Sequence, residues 1–376
     1  MSSTTDLNTR RAPDSAAEGV NVGRLALALL LFAILMAALW GGFVFLRDVQ
    51  RNNSLPKLVT AAIAIVWGVG GAAGIFYTLN AVVEQLPTGA RRMITPFVFV
   101  GPAMLLLGWF LFLPTLRTFY ISLFNANSTQ FVGLQNYAAV FTERTMLNAF
   151  QNNLLWMVFG TAGCVIFGLL IAVLADRSSF ETLAKSLIFM PMAISLVGAG
   201  VIWRFIYYYV PPGQTQIGLL NAIVTGLGGQ PQAWTTLLQP WNNFFLIIIL
   251  IWIQTGFAMV IFSAAIKGIP EDIMEAARVD GATEVQIFFR IMLPFIQGTI
   301  VTVTTTIVIF TLKIFDIVLV MTGGQYGTNV IAVEFYRQFF TNRNFGYGSA
   351  IAIVLLVAVI PVMYYNLRQL NKQEVF

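Results

Sequence analysis

Eight stretches of this 376-residue chain are long and apolar enough to cross a bilayer: residues 25–46, 58–83, 95–113, 154–175, 186–207, 244–266, 295–321 and 348–365. A helix rising about 1.5 Å per residue needs roughly 20 apolar residues to traverse a hydrocarbon layer of about 30 Å. In lipid every backbone polar group must find its partner inside the protein, which a helix achieves within one segment. Barrel strands would be shorter and alternate apolar with polar positions, whereas these runs are apolar all round. The pattern predicts an all-α integral membrane protein with about eight transmembrane helices. The first run is too long for a signal-peptide core and is expected to remain as an anchor.

Composition agrees: 58% of residues are hydrophobic, 10% are charged and mean hydropathy is +0.79, more apolar surface than a water-soluble fold of this size buries. The net charge of +5 comes from Lys and Arg scattered singly and in pairs between apolar runs, so no basic stripe offers a nucleic-acid surface. With no His and a lone Cys164 inside an apolar run, disulfides, zinc sites and His-based nucleophile arrangements are excluded. No phosphate-binding glycine loop of the G-x-x-x-x-G-K-[ST] or G-x-G-x-x-G type is present. No catalytic residue, metal ligand or cofactor is expected on this chain, and any ATP that drives it must bind another one.

Residues 1–23 are polar, rich in Ser, Thr and Ala, and contain Pro13; such a segment buries too little to fold alone and reads as a disordered cytoplasmic tail. With the N-terminus inside, twelve Lys and Arg fall in or beside inner connections and eight in outer ones, a weak positive-inside bias placing both termini in the cytoplasm. The connections 114–153 and 208–243 then lie outside, long enough to receive a soluble partner or to serve as simple connectors.

The segment KGIPEDIMEAARVDGATEVQIFFRIMLP, residues 267–294, differs from every other connection. Pro270 suits a first helical turn, and Glu271 and Asp272 oppose the positive end of the helix dipole. Ile269, Ile273 and Ala277 form an apolar strip, with Glu271, Glu275 and Arg278 away from it. Asp280-Gly281 supplies a turn in which glycine enters the left-handed region without steric cost. Thr283-x-x-Gln286 has capping-box spacing, so a second helix is expected to run on to Pro294, where the seventh span begins. Taken alone, this is two short helices at a rigid angle, equally an interfacial amphipathic loop.

Glu275-Ala276-Ala277, Asp280-Gly281-Ala282 and Ile291-x-Leu293-Pro294 resemble, with spacing intact, the cytoplasmic loop of permease subunits of binding-protein-dependent ABC importers. Phe131-Val132-Gly133-Leu134-Gln135-Asn136-Tyr137, Met190-Pro191-x-x-Ile194 with Trp203, and Phe315-Asp316 through Thr322-Gly323-Gly324 resemble the carbohydrate branch. Gln325 departs from relatives that continue with Gly-Pro. The likeness covers roughly Pro96 to the C-terminus and implies a six-helix permease core over 94–376, preceded by two accessory helices over 24–93 as in the larger maltose-type permease. It implies a bacterial plasma-membrane subunit that pairs with a second permease and a dimer of ATP-binding subunits, ATP and Mg being held by the latter. A soluble substrate-binding protein would deliver an α-glucoside-like sugar, maltose or trehalose in type. The loop would be the coupling helix, with Glu275, Ala276, Ala277, Asp280 and Gly281 as its docking residues.

A sugar pathway needs hydroxyl partners and aromatic faces near mid-membrane. Gln254 is polar within a span and should face a cavity or hydrogen-bond to another helix. Phe257, Phe310 and Thr311 resemble positions lining the sugar site of maltose-type permeases, Thr311 replacing an amide. Lys313 and Asp316 lie three apart and are expected to pair on one helix face. The competing reading is an ion-coupled secondary transporter or channel, against which stands the absence of matched broken helices in two inverted halves.

Overall fold

The computed structural model describes residues 22–236 and 240–373; most of the N-terminal tail considered above lies outside them. Among the described residues the secondary structure is helical apart from one isolated bridge between Phe124 and Phe131. Helices α1 (Val22–Asn52), α2 (Lys57–Val83) and α3 (Thr88–Ser122) come first. Then follow α4 (Gln135–Thr142), α5 (Arg144–Asp176), α6 (Glu181–Ala193) and α7 (Leu196–Ile206). Next are α8 (Leu219–Gly226), α9 (Trp241–Lys267), α10 (Glu271–Val279), α11 (Glu284–Phe295) and α12 (Gln297–Leu312). The chain ends with α13 (Asp316–Met321), α14 (Ile331–Tyr336) and α15 (Phe345–Gln373). Two compact units divide inside α3, between Thr115 and Leu116.

In the first unit α1 and α2 pack side by side, yet only Ala28 and Val49 of α1 are buried. Trp40, Leu58 and Leu105 stay at least 70% exposed, which in water would be an aggregation surface and in lipid costs nothing. In the second unit α9 is the central rod. Leu246, Ile249, Leu250, Ile253, Ala258, Met259 and Phe262 on it are all buried, because α5, α6 and α12 lie against it. At Gly256 the backbone of Ile188 and Phe189 approaches so closely that a Cβ would sit 2.6 Å from the Ile188 carbonyl oxygen; a small residue is what lets two membrane helices come this near.

Among the described residues six helices are long and apolar enough to cross a membrane, and two bent helix pairs each add a further candidate span. The fifth apolar run is not one rod: α6 and α7 meet at 103°. Pro191 tightens the end of α6 into a 3₁₀ turn, Ile194 is extended, and the Ser195 Oγ caps α7 by accepting from the Gly198 N–H at 3.0 Å. The seventh run, expected to be continuous over 295–321, is broken twice. α11 turns into α12 by 70° at Ile296, so the span begins at Gln297 and not at Pro294. α12 ends at Leu312, and α13 restarts at Asp316. Lys313 and Asp316 therefore do not share a helix face, and no ion pair joins them, which corrects the expected pairing. Much of what read as an external loop over 114–153 is helical, taken up by the ends of α3 and α5 and by α4.

Candidate functional site

The elbow is built by local chemistry. α10 starts directly after Pro270, which occupies the N-cap with φ −55° and not the first turn. Its inward face is Met274 and Ala277, packed with buried Ile269 against the core. Ile273, expected in that strip, is 43% exposed: the face that packs is set by how the neck at Gly268 and Ile269 orients the helix. The helix closes with a paired C-terminal motif. The Gly281 N–H donates to the Arg278 carbonyl at 3.0 Å and the Ala282 N–H to the Ala277 carbonyl at 3.0 Å, with Gly281 at φ +82°. The capping box is complete: the Gln286 N–H donates to Thr283 Oγ1 at 3.3 Å, and the Thr283 N–H donates to Gln286 Oε1 at 2.8 Å. A Thr283→Ala substitution removes one cap worth about 1 kcal/mol and is expected to speed amide exchange at Gln286 by about fivefold, read by hydrogen-exchange mass spectrometry.

Glu275, Ala276, Asp280 and Gly281 are exposed on this elbow, and Ala277 is half-buried behind them. Val279, the last residue of α10, stands 87% exposed. The elbow is tied to the spans by charge. Glu284 accepts from Arg278 Nε at 3.0 Å and from the Arg177 guanidinium at the end of α5. Nearby, Lys185 of α6 meets Asp176, Glu181 and Ser263, and Lys267 of α9 meets Glu181. Sequence reading missed this network, since its members lie up to 107 positions apart.

The second feature is a cleft of about 370 Å³ lined by Met192, Gln254, Phe257, Thr306, Phe310 and Lys313, at the lower end of the size range of small-molecule sites. Three of the four expected sugar contacts thus converge. The Gln254 amide makes no hydrogen bond to another helix among the described residues, so of its two expected roles it takes the cavity-facing one. Thr311 is not brought in. It is fully buried, its hydroxyl donates to the Val308 carbonyl at 2.9 Å, and it lies on the side of α12 turned toward Asn153. Lys313 takes a place at the rim because the break after Leu312 frees its side chain from the helix surface.

Above the cleft, four buried asparagines replace the backbone bonds lost at the breaks. The Asn153 Nδ2 donates to the carbonyls of Thr311 and Leu312 at 3.4 and 3.2 Å, and its Oδ1 accepts from the Ile331 N–H at 2.9 Å. Asn152 donates to the carbonyls of Gly327 and Asn329, each at 2.7 Å, Asn242 to that of Tyr326 at 2.6 Å, and Asn243 to Asn152 Oδ1 at 3.1 Å. The signal was present as two Asn-Asn pairs at the ends of apolar runs, where unpaired amides are costly.

The profile of the family described as binding-protein-dependent transport system inner membrane component matches residues 164–373. The osmoprotective compounds uptake permease protein GgtC of Synechocystis sp. is 56% identical over 277 residues, covering 74% of this chain and 99% of that protein. The alpha-glucoside transport system permease protein AglF of Rhizobium meliloti is 46% identical over 334 residues, covering 85% of this chain and 99% of that protein. A crystal structure of a bacterial alginate ABC transporter, in complex with an alginate pentasaccharide-bound periplasmic protein, contains a chain that superposes with a TM-score of 0.64. At 20% identity, covering 73% of this chain and 93% of that one, it supports the fold. Fold, loop motif and relatives agree: the chain belongs to the family of binding-protein-dependent ABC importer permeases and is a multi-pass membrane transport subunit whose relatives include sugar permeases.

Proposed function

We propose that this chain forms half of an alternating-access pathway for an α-glucoside-like sugar, paired with a second permease and driven by a dimer of separate ATP-binding subunits that hold ATP and Mg. The observation that carries this reading is the exposed, doubly capped elbow of α10 and α11. Its exposed surface carries apolar Val279 and Ile273 together with Glu271, Asp272, Glu275 and Asp280, suited to a groove on a cytoplasmic ATPase, with Glu275 meeting a basic group there. ATP biases the pathway only through contacts that differ between its two states. A stiff elbow tied through Glu284 to α5 passes such a difference to the spans; a loose loop would absorb it. Placing the elbow in the cytoplasm puts both termini there, with the bacterial plasma membrane as the site of action and a soluble binding protein supplying sugar from outside.

Within the cleft, Phe257 and Phe310 offer ring faces to a pyranose, Gln254 an amide for its hydroxyls and Lys313 a donor at the rim. The 46% identity to a protein named as an alpha-glucoside transport system permease supports that sugar class. The test is reconstitution of the full importer in proteoliposomes with [¹⁴C]maltose and [¹⁴C]trehalose. Uptake is expected to require hydrolysable ATP and binding protein; uptake that persists on an ion gradient without ATP would return the chain to the secondary-transporter reading. Gln254→Leu removes one or two hydrogen bonds, each net about 1 kcal/mol, and is expected to slow sugar uptake by about tenfold, with ATPase activity retained.

A further inference from the structure

A second pocket, of about 230 Å³, lies in the same unit, lined by Arg204, Tyr207, Tyr208, Tyr209, Trp234 and Met321. One wall is rigid. Trp234 packs on Phe245 at 4.9 Å between centroids, Tyr207 on Phe245 at 5.8 Å, and the Tyr207 hydroxyl donates to the Phe245 carbonyl at 2.9 Å. The other wall is open, with Tyr208 and Tyr209 48% and 38% exposed. Two donors here are unspent. The Trp234 indole N–H is buried without a partner, and Arg204 makes no hydrogen bond or ion pair among the described residues. The indole N–H is closed off from the pocket space, so Arg204 is the donor that an occupant can reach.

Ring faces beside one donor match a single pyranose ring, whose C–H face stacks on tyrosine while a pair of vicinal hydroxyls accepts from the guanidinium. One cation among four aromatic rings is too little charge for an anion site, which would need further donors. Phe245, on the pocket's wall, precedes Gln254, in the cleft, by nine residues of the same helix α9. That is about 13 Å along the helix axis, in the direction of the connection 208–243, which the proposed topology places outside.

We propose that this pocket is a second saccharide subsite, at the outer mouth of the pathway, that holds the sugar between its release from the binding protein and its arrival in the Gln254 cleft. The inference rests on the sugar-import reading above. In such a relay Arg204 and the Tyr209 ring bind sugar without touching the ATP cycle. Loss of the subsite lets sugar escape outward while hydrolysis continues.

The test uses the complete importer in proteoliposomes with saturating binding protein, measuring [¹⁴C]maltose uptake and ATPase rate side by side for wild type, Arg204→Gln, Tyr209→Ala and Tyr209→Phe. Arg204→Gln and Tyr209→Ala are each expected to lower uptake by about fivefold while the stimulated ATPase rate stays within about twofold; Tyr209→Phe, which keeps the ring, is expected to transport like wild type. Uptake and stimulated ATPase falling in parallel would identify the pocket as a docking surface for the binding protein and overturn the subsite. Unchanged uptake in both variants would overturn it equally. If wild type itself carries no maltose or trehalose, the sugar-import reading has failed, and the pocket's proposed role fails with it.

Discussion

Replacing Gly281 with proline is expected to leave the spans assembled and to lower ATP-driven uptake by about a hundredfold. The residue sits at φ +82°, whereas proline is held near −65°. The substitution also deletes the N–H that bonds the Arg278 carbonyl and pushes Asp280, now at φ −70° and ψ 0°, out of its helical conformation. Forcing proline into such a position costs about 3 kcal/mol or more, which sets the hundredfold figure. Gly281→Ala pays only the left-handed penalty of about 1 kcal/mol and is expected to fall by about fivefold. Basal ATPase measured with and without binding protein separates lost docking from lost coupling. Normal uptake in the proline variant would remove the elbow's geometry from the energy-transfer path.

Asn153→Leu is the largest expected loss of stability. The side chain is 3% exposed and serves two carbonyls at the end of α12 and the N–H that opens α14. Leucine matches its volume but leaves the Leu312 carbonyl and the Ile331 N–H without this partner, about 1 kcal/mol each at the low end of the range, while the Thr311 carbonyl keeps the Ile314 N–H at 3.2 Å. For a fold of this size that corresponds to a fall in Tm of roughly 2 to 4 °C, checked by thermal unfolding of the detergent-solubilised chain. An unchanged Tm would mean that other groups already satisfy the break. A lowered Tm together with altered uptake would tie the break between α12 and α13 to the transport cycle.

Different parts of the molecule were legible to different degrees. The elbow was readable almost to the residue because capping and turn chemistry are local: Thr283 with Gln286 and Gly281 act within a few positions of themselves. Its packing face was not, since Met274 points inward and Ile273 outward only as a result of where the core lies. In the cleft, Gln254 was marked by being polar inside a span, and Phe257 and Phe310 by family likeness. Thr311 fell away because the phase of α12 around its axis is not written in a run that is apolar on every side. Lys313 was passed over because the helix was expected to continue through it.

The number of membrane-crossing runs, their helical nature, the capped elbow and the family itself followed from the order of residues, because each depends on segment length, on backbone bonding within one segment, or on a contiguous motif. Which helix is central did not. α1 and α9 are similarly apolar along their lengths, yet one faces outward and the other is enclosed. Only the tertiary structure decided this, together with the 103° and 70° bends, the break after Leu312 and the ion pairs that join Glu284 to Arg177. Lipid rewards an exposed leucine almost as well as a protein core does, so hydrophobicity alone carries no sign of inside or outside here. Position is set by close fit at residues such as Gly256 and by buried amides such as Asn152 and Asn153, whose partners are distant in the chain.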